Sequence, residues 1–361
     1  KLGLIGFGGP AAHIAMMQQE VVVKRKWMSG QHFLDLLGAT NLIPGPNSTE
    51  MAIHIGYDKG GWKGLLAAGL CFILPAVFIT GIFAFLYQQY GQLPQVQPFI
   101  YGIKPAIIAI IIGAVLPLAN KSIKSTFLAF TAIVVLVLAL LGINEIFLMF
   151  GAGILAAACY YFRYRKMDTL QSVAPFVLLQ ISSSNFFSET NIRLFLIFLK
   201  IGAILYGSGY VLFAFLDTEL TAAGLLTRQQ LMDAIAVGQF TPGPVFSSVT
   251  FIGYQINGLS GAIVSSVAIF LPLFVFVALL NPLMKRMRQS KGLSAFLDAV
   301  NVASVAIIAA VCFAMAKETI TDWRTIMIAL TSAFIVLKFK KINSAFIVLG
   351  GALLGYILHQ C

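Results

Sequence analysis

Two copies of a Pro-Gly-Pro turn, each embedded in apolar sequence, constrain the fold of this chain more than any other feature. The first copy runs from Pro44 to Tyr57 as PGPNSTEMAIHIGY, and the second runs from Thr241 to Tyr254 as TPGPVFSSVTFIGY. Proline lacks a backbone N–H and breaks a helix, whereas glycine lets another chain approach closely. Each copy therefore predicts a break between two short helices.

The composition places these breaks inside a membrane. Of the 361 residues, 59% are hydrophobic and 10% are charged, whereas soluble domains carry about 25% charged residues. Runs approaching the length of about 20 apolar residues that a spanning helix needs recur along the chain. They lie near 1–23, 62–88, 99–119, 126–142, 145–163, 194–216, 261–282, 296–316, 324–337 and 342–358. We predict an all-α polytopic membrane protein, whose net charge of +11 reflects cytoplasmic loops and not nucleic-acid binding.

The chain contains two related halves. Glu20 corresponds to Glu219 and Asp35 to Asp233, and further landmarks recur in the same order at a separation of 197 to 199 positions. Such agreement in order and spacing is typical of an internal repeat. We divide the chain into a first repeat at 1–165, a connector at 166–193 and a second repeat at 194–361.

The pieces beside each Pro-Gly-Pro are about half a span long, so each copy is either a re-entrant helical hairpin or one broken spanning helix. Lysine and arginine favour re-entry. With about five transmembrane helices in each half, 18 of the 24 Lys and Arg residues fall on one face and three on the other, as the positive-inside rule requires. An odd number of spans makes the halves inverted-topology repeats, which is a signature of transporters.

The helix that follows each turn begins with N–H groups and a positive dipole end, which suit an anion. Asn47 and Glu50 have the spacing of a capping pair, and Ser247 and Ser248 place hydroxyls at the matching position. The predicted substrate-binding residues are Gly8, Gly9, Gly45, Asn47, Ser48, Thr49, Gly207, Ser208, Gly243, Ser247 and Ser248. The alternatives are a packing kink at each Pro-Gly-Pro and a small-residue packing face at the other glycines.

Glu50 and His54 are four residues apart, so they share one face of a helix. Ionisable groups at membrane depth are functional by default. They form either a proton-coupling site or a buried structural pair, and both interpretations stay open. A metal site is disfavoured because no further His or Cys ligand lies nearby. Lys104 either snorkels toward the surface or offsets the charge of an anion.

The stretch from Phe7 to Pro10, followed by the stretch from Pro44 to Tyr57, resembles the chromate transporter (CHR) family, and Pro242-Gly243-Pro244 resembles its second domain. The resemblance extends over nearly the whole chain. It implies a bacterial inner-membrane carrier that exports chromate under the proton motive force, with sulfate as a related oxyanion. It also implies two homologous halves of opposite orientation.

The second half departs from the first at the titratable positions, since Ser248 and Phe251 stand where the first half has Glu50 and His54. A sulfate or other oxyanion transporter and an anion channel are the alternatives to chromate export. Two inverted broken helices favour alternating access over a static pore. The sequence contains no recognisable nucleophile or metal set, so we predict neither an enzyme nor a cofactor. The oligomeric state, including a homodimer, is left open.

Overall fold

The computed structural model describes residues 2–6, 10–40, 43–164, 188–206, 209–280, 290–339 and 342–360. Every secondary-structure element in these ranges is helical. The first half contains α1 (Leu2–Ile5), α2 (Pro10–Gln18), α3 (Gly30–Thr40), α4 (Asn47–Tyr90), α5 (Gln97–Ser122), α6 (Thr126–Leu140) and α7 (Glu145–Tyr164). The second contains α8 (Glu189–Ile204), α9 (Val211–Leu216), α10 (Arg228–Phe240), α11 (Ser248–Leu280), α12 (Lys291–Thr319), α13 (Trp323–Lys338) and α14 (Ser344–Gln360). Most of the predicted connector lies outside the described residues.

The order of elements in the first half recurs in the second. A π-helical turn at Gln19–Lys24 follows α2, and a π-helical turn at Asp217–Thr221 follows α9. Two further irregularities also correspond, because α4 is non-helical at Gly60 and Gly61, and α11 is non-helical at Asn257 and Gly258. The second residue of each pair has a positive φ, 54° at Gly61 and 58° at Gly258, which glycine adopts without strain.

The chain doubles back on itself at each of these irregularities. A Cβ on Gly56 would lie 2.3 Å from the carbonyl oxygen of Gly64, and a Cβ on Gly253 would lie 2.3 Å from that of Gly261. Residues eight positions apart in a straight helix are separated by about 12 Å. Therefore α4 has a short arm (47–59) and a long arm (62–90), and α11 likewise has a short arm (248–256) and a long arm (259–280).

Five helical segments in the described ranges are long and apolar enough to cross a membrane. They are Asn47–Tyr90, Gln97–Ser122, Glu145–Phe162, Val245–Leu279 and Lys291–Thr319. Bulky side chains on α4, α6 and α7 face outward, and Phe78 and Phe147 are 75% and 76% exposed. An apolar exterior of this extent is typical of a surface in contact with lipid.

The first apolar run of each half, which we predicted as one span, is not one continuous helix. Helix α1 is separated from α2, and α8 is separated from α9. At the first interruption the carbonyl of Gly6 accepts hydrogen bonds from outside α1, from the Gly243 N–H at 2.7 Å and from the ring of His13 at 3.0 Å. A buried backbone carbonyl must be hydrogen-bonded, and these two bonds satisfy the Gly6 carbonyl where the helix is interrupted.

Helices of the first half pack directly against helices of the second half. Helix α5 of the first half crosses α14 of the second, where a Cβ on Gly102 would lie 2.1 Å from the carbonyl oxygen of Gly351. Helix α12 of the second half packs on α7 of the first, and a Cβ on Gly153 would lie 2.6 Å from the ring of Phe296. Each half thus completes the other, and the Pro-Gly-Pro turns lie within this shared structure.

Candidate functional site at the two Pro-Gly-Pro turns

The first turn connects α3 to the short arm of α4. These two helices share one apolar cluster, with Phe33 and Leu36 from α3 and Met51 and Ile55 from the short arm. Gly45 has φ 138°, and a Cβ at this position would lie 2.3 Å from Oε1 of Glu50 and 3.2 Å from the side chain of Leu273. A side chain at Gly45 would therefore be strained by the positive φ and would have to displace the Glu50 carboxylate.

The second turn connects α10 to α11 through a short 3-10 turn at Val245–Ser247. Gly243 has φ 100°, and a Cβ here would lie 2.8 Å from Cβ of Ala76. The Ser247 hydroxyl accepts a hydrogen bond from Thr80 at 3.3 Å, one helical turn beyond Ala76. The second turn is therefore fastened to the long arm of α4 in the opposite half.

Each turn contacts the long arm of the other half: Gly45 lies beside Leu273 of α11, and Gly243 lies beside Ala76 of α4. Ala76 and Leu273, which touch the turns, each follow the proline inside a long arm, Pro75 or Pro272. The interrupted first run of the first half also takes part, because the N–H of Gly243 in the second turn donates a hydrogen bond to the carbonyl of Gly6. The structure thus brings each predicted turn against the opposite half.

Three buried polar groups next to the two turns have no hydrogen-bond partner among the described residues. They are the hydroxyls of Thr49 and Ser248 and the side-chain amide nitrogen of Gln239. Their residues are 0%, 0% and 5% exposed, respectively. Because nearly all buried polar groups in folded proteins are hydrogen-bonded, such orphaned donors indicate a place for a ligand or water.

Gln239 was missed by the sequence analysis. It lies three residues before Pro242, the first residue of the second Pro-Gly-Pro motif. The corresponding position in the first half is Asn41, which is outside the described residues and also carries an amide. The sequence signal that could have identified Gln239 is this pair of side-chain amides at equivalent positions in otherwise apolar sequence.

Glu50 and His54 are both buried in the short arm of α4, at 0% and 1% exposure. All four of their side-chain polar atoms are without a hydrogen-bond partner in the described part of the chain. The two side chains therefore do not bond to each other, and this arrangement gives no support to a hydrogen-bonded structural pair. Both groups are available to a proton or to a bound ligand.

The predicted capping pair of Asn47 and Glu50 is wrong. The N-cap of α4 is Pro46, whose carbonyl accepts hydrogen bonds from the N–H groups of Thr49 at 2.8 Å and Glu50 at 3.2 Å, and no side chain caps the helix. Because the helix begins one residue earlier than we expected, Asn47 is already helical. The side chain of Glu50 instead turns back against Gly45.

The described residues contain only part of the predicted substrate-binding set. Gly45, Asn47, Ser48, Thr49, Gly243, Ser247 and Ser248 lie in or next to the two turns. Gly8, Gly9, Gly207 and Ser208 lie outside the described residues. Their neighbour Gly6 bonds to the second turn, and the predicted role of these four residues stays a prediction.

Comparison with known proteins adds an identity to this geometry. The sequence model of the chromate transporter family matches residues 1–157 and 192–356. This chain belongs to the chromate transporter family. Members of the family are transporters and not enzymes, and the chain is accordingly a multi-pass membrane protein.

Curated relatives agree with the family over nearly the full chain. The chromate transport protein of Cupriavidus metallidurans is 32% identical over 99% of this chain and 91% of its own length. The probable chromate transport protein of Synechococcus elongatus is 29% identical over 99% of this chain and 93% of its own length. The chromate transport protein of Pseudomonas aeruginosa is 28% identical over 99% of this chain and 90% of its own length. No solved structure matches the chain significantly.

Proposed function

We propose that this chain is a secondary active transporter that exports chromate across the bacterial inner membrane, driven by the proton motive force. The observation that carries the proposal is the set of buried, unpartnered donors beside two broken helices, at Thr49, Ser248 and Gln239. The relatives named for chromate transport cover almost all of this chain. Chromate is therefore the substrate that these donors are proposed to bind.

A tetrahedral dianion fits such a site because it only accepts hydrogen bonds. Hydroxyl and amide donors, together with the N–H groups at the start of α11 and of the short arm of α4, would surround its oxygens. A buried donor without a partner costs about 1–3 kcal/mol. Binding of an oxyanion removes that cost, and this favours an occupied site over an empty one.

The two halves act as inverted-topology repeats in this proposal. Each Pro-Gly-Pro unit is a re-entrant hairpin that returns to its own side of the membrane. The charge distribution supports this arrangement, because it puts Lys59, Lys63 and Lys121 on the cytoplasmic side and Arg228 outside. Irregular backbone at membrane depth is tolerated where it is buried in protein or lines a cavity. Rocking of one half against the other would expose the site alternately to each side.

Glu50 supplies a link between protons and the anion. An ionised Glu50 would repel a nearby dianion by about 4 kcal/mol per unit charge at 4 Å and an effective dielectric of about 20. A neutral Glu50 would not repel it and could donate a hydrogen bond. An exporter driven by inward proton flow requires that the proton moves in the anion-free return step. His54, four residues further along the same arm, is the second proposed proton-coupling residue.

Uptake of labelled chromate into inverted membrane vesicles tests the proposal. Vesicles with an imposed proton gradient should accumulate chromate above the external concentration, and a protonophore should abolish that accumulation. Equilibration without accumulation, whatever the gradient, would instead indicate a channel. Accumulation of sulfate in preference to chromate would indicate a sulfate-type oxyanion transporter.

A further inference from the structure

A polar cavity of about 280 Å³ lies away from the two turns, between the end of α4, the start of α5 and the start of α10. Gln92 and Thr227 belong to its exposed rim, and Tyr87 and Asp233 lie deeper. Asp233 is only 4% exposed. The cavity thus connects the surface of the protein with a buried carboxylate.

Asp233 is held by two residues from the opposite half. Its Oδ1 lies 3.4 Å from the ammonium nitrogen of Lys104 on α5, and its Oδ2 accepts a hydrogen bond of 2.6 Å from the hydroxyl of Tyr87 on α4. The side chain of Lys104 is 11% exposed. Lys104 therefore does not snorkel to the surface, because its charge is paired inside the protein.

The surroundings of Asp233 differ from those of Glu50. Glu50 is completely buried, has no hydrogen-bond partner among the described residues, and does not line this cavity. Asp233 has both a route to water and a cation beside it. Water at a carboxylate supplies and removes protons, and a neighbouring cation holds the ionised form in place between protonation events.

We propose that Asp233 is a proton-binding site of the transport cycle, loaded from this cavity and reset by Lys104. Protonation neutralises Asp233 and breaks the ion pair that ties α10 to α5. Helix α10 ends at Phe240, directly before the second Pro-Gly-Pro turn. A change at Asp233 is therefore transmitted along one rigid element to the proposed anion site. This inference rests on the proposed function, since it adds to Glu50 and His54 a group that takes up a driving proton directly from the polar cavity.

Two basic residues near α10 are paired with carboxylates other than Asp233. Arg228 at its start pairs with Asp217 at 2.9 Å and with Glu318. Lys200 pairs with Glu219 of the π-helical turn at 2.6 Å. The other titratable residues on the helices packed against α10 are Tyr101, Lys121, Tyr254, Tyr356, His359 and, on α4, Glu50, His54, Tyr57, Asp58, Lys59, Lys63, Cys71 and Tyr90. The groups that act directly on the Asp233 carboxyl are Lys104 and Tyr87.

The repeat keeps the aspartate position but not the lysine position of this pair. Asp35 stands at the position of Asp233 and accepts a hydrogen bond from Gln31 at 3.5 Å, whereas the counterpart of Lys104 in the second half is Asn301. The combination of an aspartate and a lysine at these equivalent positions therefore occurs once in the chain. Asp35→Asn is a matched control, because it makes the same chemical change at the equivalent place.

Infrared titration of the full-length protein in proteoliposomes tests proton binding without any substrate. The wild type should gain the carbonyl band of a protonated carboxylic acid as the pH falls, and Asp233→Asn should lack that component while Asp35→Asn retains it. In Lys104→Met the band should appear at higher pH, because the cation no longer holds the ionised form. Identical titrations for the wild type and Asp233→Asn would overturn the proposal.

Transport assays test the link to the cycle. Asp233→Asn should lose chromate accumulation against a gradient and keep chromate-for-chromate exchange, whereas Asp35→Asn should keep both. If Asp233→Asn fails to fold because Lys104 is left buried and unpaired, Asp233→Asn combined with Lys104→Met removes both charges and restores folding. Gradient-driven accumulation with normal pH dependence in either Asp233 variant would overturn the proposal. A wild type that carries no chromate would overturn the proposed function instead, and the infrared titration would still decide whether Asp233 binds the proton.

Discussion

At the first Pro-Gly-Pro turn a carboxylate lies against Gly45, whereas at the second turn the corresponding residue is Ser248. The backbones of the two turns are alike, since each has a glycine at positive φ pressed against the long arm of the opposite half. The titratable chemistry is different, because Phe251 also replaces His54. The backbone arrangement of the turn thus recurs in both halves, whereas Glu50 and His54 have counterparts in the second half that do not titrate.

The strongest test of the comparison asks whether equivalent positions of the two halves lie on opposite sides of the membrane. Lys63 and Ser260 occupy equivalent, exposed positions just after the breaks in α4 and α11. In a background without the four native cysteines, Lys63→Cys should be labelled from the cytoplasmic side alone and Ser260→Cys from the outside alone. Labelling of both from one side by a membrane-impermeant maleimide would contradict inverted repeats.

The glycines of the turns should give the next largest effect. Gly45→Ala and Gly243→Ala each force a side chain into positive φ, a strain of about 1–3 kcal/mol, which corresponds to a roughly ten- to hundred-fold loss of transport if the turn distorts. Gly243→Ala should also lower expression, because its Cβ meets Cβ of Ala76, whereas the carboxylate at Gly45 can rotate away. Chromate uptake per folded transporter, quantified by size-exclusion fluorescence, separates the two losses.

Full activity in both glycine variants would show that the turns have only a structural role. Gly142→Ala is a matched control, because Gly142 also has positive φ, 84°, but nothing lies within 4 Å of its added Cβ. This variant should therefore report the cost of backbone strain alone.

Glu50→Gln sharpens the chemical difference between the turns. The neutral amide cannot repel the anion, so chromate binding should persist and lose its pH dependence, while accumulation against a gradient fails. The matched change Ser248→Glu puts a carboxylate at the second turn and should weaken chromate binding at neutral pH. Binding by isothermal calorimetry across a pH series checks both. Uphill transport with an unchanged pH response in Glu50→Gln would remove Glu50 from the coupling mechanism.

The orphaned donors should each have a modest effect. Thr49→Val and Ser248→Ala delete one hydroxyl apiece, and the loss of a hydrogen bond to a charged ligand is worth about 1.5–3 kcal/mol. The dissociation constant for chromate should rise in both variants, and melting temperatures should stay the same or increase, because an unsatisfied buried group is gone. Ser125→Ala, at a helix start outside the site, should leave the dissociation constant unchanged.

The smallest effect is expected at the caps of two equivalent helices. Asp322 caps α13 and Ser125 caps α6. Hydrogen bonding from the backbone N–H of Thr325, and from Tyr101, lowers the pKa of the Asp322 carboxyl. Because the folded-state pKa is lowered, the cap stabilises above the ordinary pKa of aspartate, and that stabilisation is lost as the pH falls through the folded-state value.

Each cap variant, Asp322→Ala or Ser125→Ala, should cost about 1 kcal/mol at neutral pH. The cost of Asp322→Ala should shrink on acidification, while the cost of Ser125→Ala should not. Thermal unfolding in detergent at neutral and acidic pH measures the difference. Parallel pH profiles for the two variants would contradict a role for the ionised carboxylate.

The sequence was informative where the chemistry is local. Prolines at positions 44, 46, 242 and 244 indicated the breaks, and the apolar runs indicated the helices, because both depend on neighbouring residues. The capping prediction failed since Pro46 already fills the cap position, and a spacing of Asn and Glu alone does not reveal where the helix begins.

Contacts between distant parts of the chain could not be predicted. Lys104 and Asp233 appeared as separate charges, and only the packing of α5 against α10 makes them a pair. The tight crossings beside Gly60 and Asn257 were not predicted either, although Gly56 and Gly64, and Gly253 and Gly261, are the small residues that a close crossing needs. Glycine spacing alone does not distinguish a reversal from a helix-packing face.

The crossing of α5 and α14 has a consequence for the synthesis and assembly of the protein. Gly102 meets Gly351 and Gly355, so the glycine face of α5 finds its partner only when α14 has been synthesised, more than 200 residues later. Until then the nascent chain holds an incomplete first half in the bilayer, with a groove that lipid or a chaperone must fill. A chain that ends before Gly351 therefore leaves the glycine face of α5 without its partner helix.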